Sequence, residues 1–137
     1  MKVMYHIFIQ GIPKAQPRPR MAVNGHVYNP NSADIWKNQI KACFLRYRKP
    51  TITEPVELRV NFFLPCPKSM KEKKGLLLPH AKKPDTDNLL KAVMDSLTDI
   101  EIWKDDAQVF NIKAGKYYAQ ERETGALITI SIEEGQL

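Results

Sequence analysis

The sequence is poor in cysteine. Of its 137 residues only Cys43 and Cys66 carry thiols, and they form no C-x-x-C pair. That excludes a disulfide framework and a zinc ribbon, and it fits a reducing, cytoplasmic setting. Long apolar runs are also missing: no stretch approaches the roughly 18 residues that a bilayer span needs. The opening MKVMYHIFIQGIPKAQPRPR is apolar only briefly and includes His6 and Gln10. No small-residue cleavage site comes after it, so it reads as a strand and not as a secretion signal. The 6 glycines make neither a Walker loop nor a dinucleotide fingerprint, so no organic cofactor is expected. A G-x-S-x-G elbow is absent, and neither cysteine has a base beside it, which removes the common serine and cysteine nucleophiles.

Acidic residues are scarce as well, until one point in the chain. Residues 1–84 hold 16 basic and 4 acidic side chains, whereas residues 85–106 hold 2 basic and 7 acidic ones. The overall charge is +6. Clustered carboxylates repel one another unless a cation neutralises them. A basic body around an acidic knot points to a binder of phosphate backbones with a metal site. A solvated acidic helix face is the simpler account of such a cluster taken alone.

The length and composition predict one α+β domain over residues 1–137. Val3–Ile9 reads as a strand, ended by Gly11 and Pro13. Residues 11–31 form a loop rich in proline and basic residues, with a tight-turn signal at Asn24-Gly25. Trp36, Ile40, Cys43, Phe44 and Tyr47 recur at helical spacing, which predicts a helix over 32–48 with Ser32 as N-cap. Residues 56–64 alternate as a half-buried strand. A lysine-rich loop fills 65–84, a second helix is predicted over 86–98, and strands are expected at 107–118 and 126–133. The order is β-α-β-α-β-β: a four-stranded mixed sheet with two helices packed on it.

The chemistry concentrates in KKPDTDNLLKAVMDSLTDIEIWKDDAQV, residues 82–109. Leu89, Leu90, Val93 and Leu97 make a core-facing stripe, with Asp87, Lys91 and Asp95 on the opposite side. Asp85 stands at the helix mouth beside Asp87. A turn after the helix, anchored by Trp103, is expected to bring Asp105 and Asp106 back into reach of that pair. Hard carboxylates from a helix mouth and a neighbouring loop suit Mg²⁺. Taken singly, Asp85 is an N-cap, Asp87 with Lys91 an i,i+4 surface pair, and Asp105-Asp106 a turn. Their coincidence in a basic domain favours a shared site.

The string DTDNLLKAVMDSL followed by WKDDAQV resembles the signature of the RusA family of Holliday junction resolvases, D-x-D-N-x-x-K-x-x-x-D-x-L and then W-x-D-D-x-Q-V. Gly11-Ile12-Pro13 with Arg18-Pro19-Arg20 is similar to the early loop of phage and prophage members. The resemblance implies a Mg²⁺ site at Asp85, Asp87 and Asp106, a catalytic Lys91, and a supporting Asp105. Asn88 matches the motif asparagine. It also implies a homodimer that binds four-way branched DNA in recombination and repair. Each subunit would nick one of two opposed strands, leaving 5′-phosphate and 3′-hydroxyl ends. The exposed side of the C-terminal strands is the surface expected to carry the dimer.

Candidate phosphate contacts are Lys14, Arg18, Arg20, Lys68, Lys71, Lys73, Lys74, Lys82 and Lys83. Arg18 and Arg20 stand out because Pro17 and Pro19 stiffen their loop and a guanidinium can grip phosphate with two bonds. His6, His26 and His80 are scattered and read as structural. The alternatives to a junction-resolving enzyme are a non-catalytic junction binder, a metal-dependent nuclease on other branched DNA, and a structural protein with acids as surface decoration.

Overall fold

A computed structural model of the chain describes residues 1–28, 31–68 and 78–134. Lys71, Lys73 and Lys74 lie outside the described residues. The strands are β1 (Lys2–Gln10), β2 (Arg20–Met21), β3 (Val27–Tyr28), β4 (Val56–Pro65), β5 (Val109–Ala119) and β6 (Gly125–Ile132). The helices are α1 (Asp34–Arg46) and α2 (Thr86–Asp99). The main sheet is four-stranded in the order β1-β6-β4-β5. β4 and β5 run parallel, while β6 is antiparallel to both β1 and β4. The mixed sheet and the expected element order are therefore present. β2 and β3 pair separately as a small hairpin around Asn24-Gly25.

Each local form arises from its residues. β4 alternates because Val56, Leu58, Val60, Phe62 and Leu64 are buried, while Glu57, Arg59, Asn61 and Phe63 lie on the other side. Its buried face packs with Trp36, Ile40 and Phe44 of α1 and Leu89, Val93 and Leu97 of α2. Each fully buried side chain of this kind contributes about 1.5–3 kcal/mol. β4, α2 and β5 form a crossover unit, the connection that parallel neighbours require. β6 is almost wholly buried, in keeping with its central position. At its start Gly125 has φ 152°, and a Cβ there would collide with the Ile9 carbonyl oxygen of β1.

The structure corrects two details. Helix α1 starts at Asp34 with Ala33 in the N-cap position and no side-chain cap. Ser32 instead belongs to a turn closed by the Asp34 N–H on the Asn31 carbonyl, 3.1 Å. Tyr47 lies just beyond the helix and is 58% exposed, so the apolar stripe ends at Phe44.

Helix α2 is closed by a Schellman motif. The Ile102 N–H reaches the Leu97 carbonyl at 3.0 Å and the Glu101 N–H reaches that of Thr98 at 3.0 Å. Glu101 takes the left-handed conformation that this turn needs, φ 58°. Trp103 then plugs the end of the core: it is fully buried, and its Nε1 donates to Thr98 Oγ1 at 2.8 Å. A bridge to Ile52 fixes its backbone beside the entry to β4.

This geometry sets a distance. From Asp87 to Asp99 the helix rises about 18 Å. The return strand gives an independent ruler: Val109 to Lys116 spans about 23 Å, and Lys116 Nζ touches the Pro84 carbonyl at the head of α2. The segments before and after α2 thus lie at opposite ends of the domain.

Trp103→Ala should cost about 3–5 kcal/mol by leaving a cavity where α2 turns back. Urea denaturation monitored by circular dichroism would measure it, and a loss below about 1 kcal/mol, well under that range, would show that Trp103 is not the plug described.

Candidate active site

The acidic mouth lies at the N-terminal end of α2, beside the carboxyl ends of β4 and β5. Asp85 occupies the N-cap position, yet its side chain makes no capping bond. It pairs instead with Lys83, whose Nζ stands 3.1 Å from the carboxylate. Asp87 is exposed, and its Oδ1 accepts the Asn88 N–H at 2.9 Å. No ion pair joins Asp87 to Lys91 among the described residues. The simple roles of cap and i,i+4 pair are therefore not what these side chains do. The N–H groups at the start of the helix also face this mouth and favour anions there.

The proline-rich loop lies against the same helical turn. The Gln16 N–H donates to the Asn88 carbonyl at 3.0 Å, and Lys37 of α1 holds the Gln16 side chain, Nζ to Oε1 3.0 Å. Two clefts result. One of about 600 Å³ is lined by Ile12, Lys14, Leu64, His80, Lys83 and Asp85. The other, of about 330 Å³, lies between Pro17, Pro19, Lys37, Lys91 and Asp95. The structure thus brings Lys14 and Lys83 to Asp85, and Lys91 to the loop that carries Arg18. Arg18, Arg20, Lys68 and Lys82 lie on the surface.

His80, read from sequence as structural, lines the first cleft. Its ring lies against Tyr118, centroids 4.5 Å apart, and its Nδ1 accepts the Lys82 N–H at 3.3 Å. Burial, reinforced by the ammonium of Lys116, lowers its pKa, so the ring is neutral near pH 7. Nothing in the sequence marks this residue, because its neighbours come from a distant strand.

The second acidic pair is built differently. Asp105 caps the short turn Asp106–Gln108, its Oδ1 accepting the Ala107 N–H at 2.9 Å. Gln108 Oε1 accepts the N–H groups of Lys104 and Asp105 at 2.8 and 3.0 Å. Its Nε2 donates to the carbonyls of Ile52 and Glu54 at 2.9 and 3.1 Å. Asp105 and Gln108 are the frame. Asp106 is exposed and has no side-chain hydrogen bond or ion pair among the described residues.

The turn does not return this pair to Asp85 and Asp87. It leaves them at the far end of α2, about 20 Å away. Among the described residues, no three His, Cys, Asp or Glu side chains stand close enough to hold a metal ion. The carboxylates of Asp85 and Asp87 have the hard-oxygen chemistry that suits Mg²⁺, and among the described residues one chain supplies that part of a donor set at the mouth.

Comparison with known proteins shows the family. A family described as Endodeoxyribonuclease RusA matches residues 10–131. The uncharacterized protein YqaN of Bacillus subtilis (strain 168) is 37% identical, over 88% of this chain and 92% of its own. A protein named crossover junction endodeoxyribonuclease rusA, from Lactococcus phage r1t, is 32% identical over 61% of this chain and 56% of its own. With its acidic helix mouth, its proline-rich basic loop and a family match over most of its length, this chain belongs to the RusA endodeoxyribonuclease family.

Proposed function

We propose that the protein is a Mg²⁺-dependent, structure-selective endonuclease that resolves four-way DNA junctions. It works as a homodimer whose active sites are shared between subunits. The observation that carries this reading is the placement of two exposed acidic groups at opposite ends of one rigid helix. Asp85 and Asp87 of one subunit need Asp106 of the partner subunit to complete a donor set. A two-fold dimer then holds two such sites, which suits the two-fold character of a junction and a pair of opposed nicks. Exposed Phe110 (55%) and Ile112 (43%) come after Asp106 on one face of β5, apolar surface that a second copy would cover there.

The chemistry that such an ion supplies is polarisation of the scissile phosphate, a lowered pKa for the attacking water and support for the leaving oxygen. The chain's own groups do the rest. Lys91 stands one turn in from Asp87 and neutralises charge that builds on the phosphate. Lys14 and Lys83 bind phosphates beside Asp85. Arg18 and Arg20 grip the backbone further along. Breaking the bond between phosphorus and the 3′ oxygen leaves 5′-phosphate and 3′-hydroxyl ends. A non-catalytic binder would gain nothing from carboxylates facing DNA, since they weaken phosphate binding.

A labelled mobile junction should be cut by the protein with Mg²⁺ and left whole without it. Fork, flap and linear duplex should be cut poorly. Asp85→Asn or Asp87→Asn should reduce cutting by more than about 100-fold, beyond the loss typical of a ligand's outer partners, while gel shift without Mg²⁺ shows junction binding retained. Cleavage by either variant at the normal rate would refute the site.

The Arg18→Ala/Arg20→Ala double variant should bind the junction more weakly. Its plot of log affinity against log salt should be flatter by about 2 units of slope, as expected for two lost phosphate contacts. An unchanged slope would remove this loop from the interface.

A further inference from the structure

Lys116, in β5, is a half-buried lysine that forms no ion pair among the described residues. Its Nζ donates to two backbone carbonyls, those of Lys82 and Pro84, the latter at 2.7 Å. Its own carbonyl accepts the His80 N–H at 3.0 Å. One residue therefore holds the segment 80–84 at both ends, and the next residue is Asp85.

The neighbouring pairings explain why a side chain is used. Residues 78–80 lie along the outer edge of β5, with the Tyr118 N–H on the Leu78 carbonyl at 2.9 Å and a bridge between Pro79 and Tyr117. That ladder ends at His80. Beyond it the chain bends toward α2, and the carbonyls of Lys82 and Pro84 are met by the lysine side chain instead of a backbone donor. The Lys82 contact is exposed and the Pro84 contact half-buried; the half-buried carbonyl is the one that most needs a partner, and an ammonium offers three N–H groups on a long stem. Among the described residues the Asp85 side chain is itself held only by Lys83, whose side chain is 86% exposed. Its direction is therefore set by the backbone that Lys116 fixes.

We propose that Lys116 is a positioning residue for the acidic mouth: by clamping the Lys82 and Pro84 carbonyls it presets the direction in which Asp85 presents its oxygens to a divalent cation. This rests on the reading that Asp85 and Asp87 hold that ion. Lys116 touches neither DNA nor ion; it acts through the turn. Loss of its ammonium loosens the turn, and binding of the ion must then supply the free energy of ordering it.

The test compares the full-length wild type with Lys116→Met and Lys116→Arg. Two readouts are taken: the Mg²⁺ concentration that gives half of the cation-induced rise in Tm, without DNA, and the one that gives half-maximal junction cleavage. Lys116→Met should raise both by about tenfold or more, the scale seen when a group that orients a metal ligand is removed. Junction binding in EDTA should stay within about threefold of wild type, a small loss expected for one charge. Lys116→Arg, which keeps the charge and the donors, should recover most of the Mg²⁺ response. Should Lys116→Met not fold, Lys116→Gln carries the same comparison with a donor but without the charge or the reach. A lower Tm with an unchanged Mg²⁺ midpoint would make Lys116 a stabiliser of the turn only, and would overturn the inference while leaving the site assignment intact. A wild type whose Tm and cleavage ignore Mg²⁺ would overturn both.

Discussion

The rigidity of one helix governs the arrangement of this protein. α2 is a rod of 14 residues, pinned along Leu89, Val93 and Leu97 to the sheet. It is capped by a Schellman turn and closed by Trp103. Such a rod cannot fold back on itself, so the segments at its two ends stay about 20 Å apart. Both carry exposed carboxylates. The same burial that makes the domain stable therefore holds Asp106 of a chain away from Asp85 and Asp87 of that chain, and the proposed shared site follows from this separation.

Electrostatics reinforce this. Asp85 and Asp87 sit where the helix N-terminus favours negative charge, and the Lys83 ammonium beside Asp85 offsets part of that charge. Around them the proline-rich loop, strapped to Asn88 and to Lys37, brings basic groups to the same mouth. The mouth thus sets lysine ammoniums and carboxylate oxygens within a short span, the pairing that the proposed metal-assisted cleavage of a phosphodiester uses. At the far end, Asp105 and Gln108 direct their hydrogen bonds to the backbone, which leaves Asp106 to face outward.

Much of the fold was legible because it rests on local pattern. The alternation of Val56 to Leu64, the stripe on α2 and the Asn24-Gly25 turn each come from periodicity or backbone preference. The insertion of β6 between β1 and β4 was not legible, since strand order depends on contacts between residues far apart in the chain. The acidic residues were legible as a set but not as a placement. Two motifs that lie close in sequence suggest closeness in space, yet the rise of the helix between Asp87 and Asp99 already separates them. That separation was available from counting residues alone. His80 and Lys116 gave no sign at all. Each is one unremarked side chain in its own segment, and each takes its meaning from a partner across the sheet edge.

The central claim is that Asp87 of one subunit and Asp106 of the other serve the same site. Subunit mixing tests it most directly. Asp87→Asn and Asp106→Asn should each be inactive alone on a four-way junction with Mg²⁺. Exchanged into heterodimers, they would rebuild one intact site per dimer and destroy the other, so mixing should restore cutting, with single nicks outnumbering paired ones. If the mixture stays as inactive as its parts, although heterodimers are shown to have formed, the shared site is contradicted.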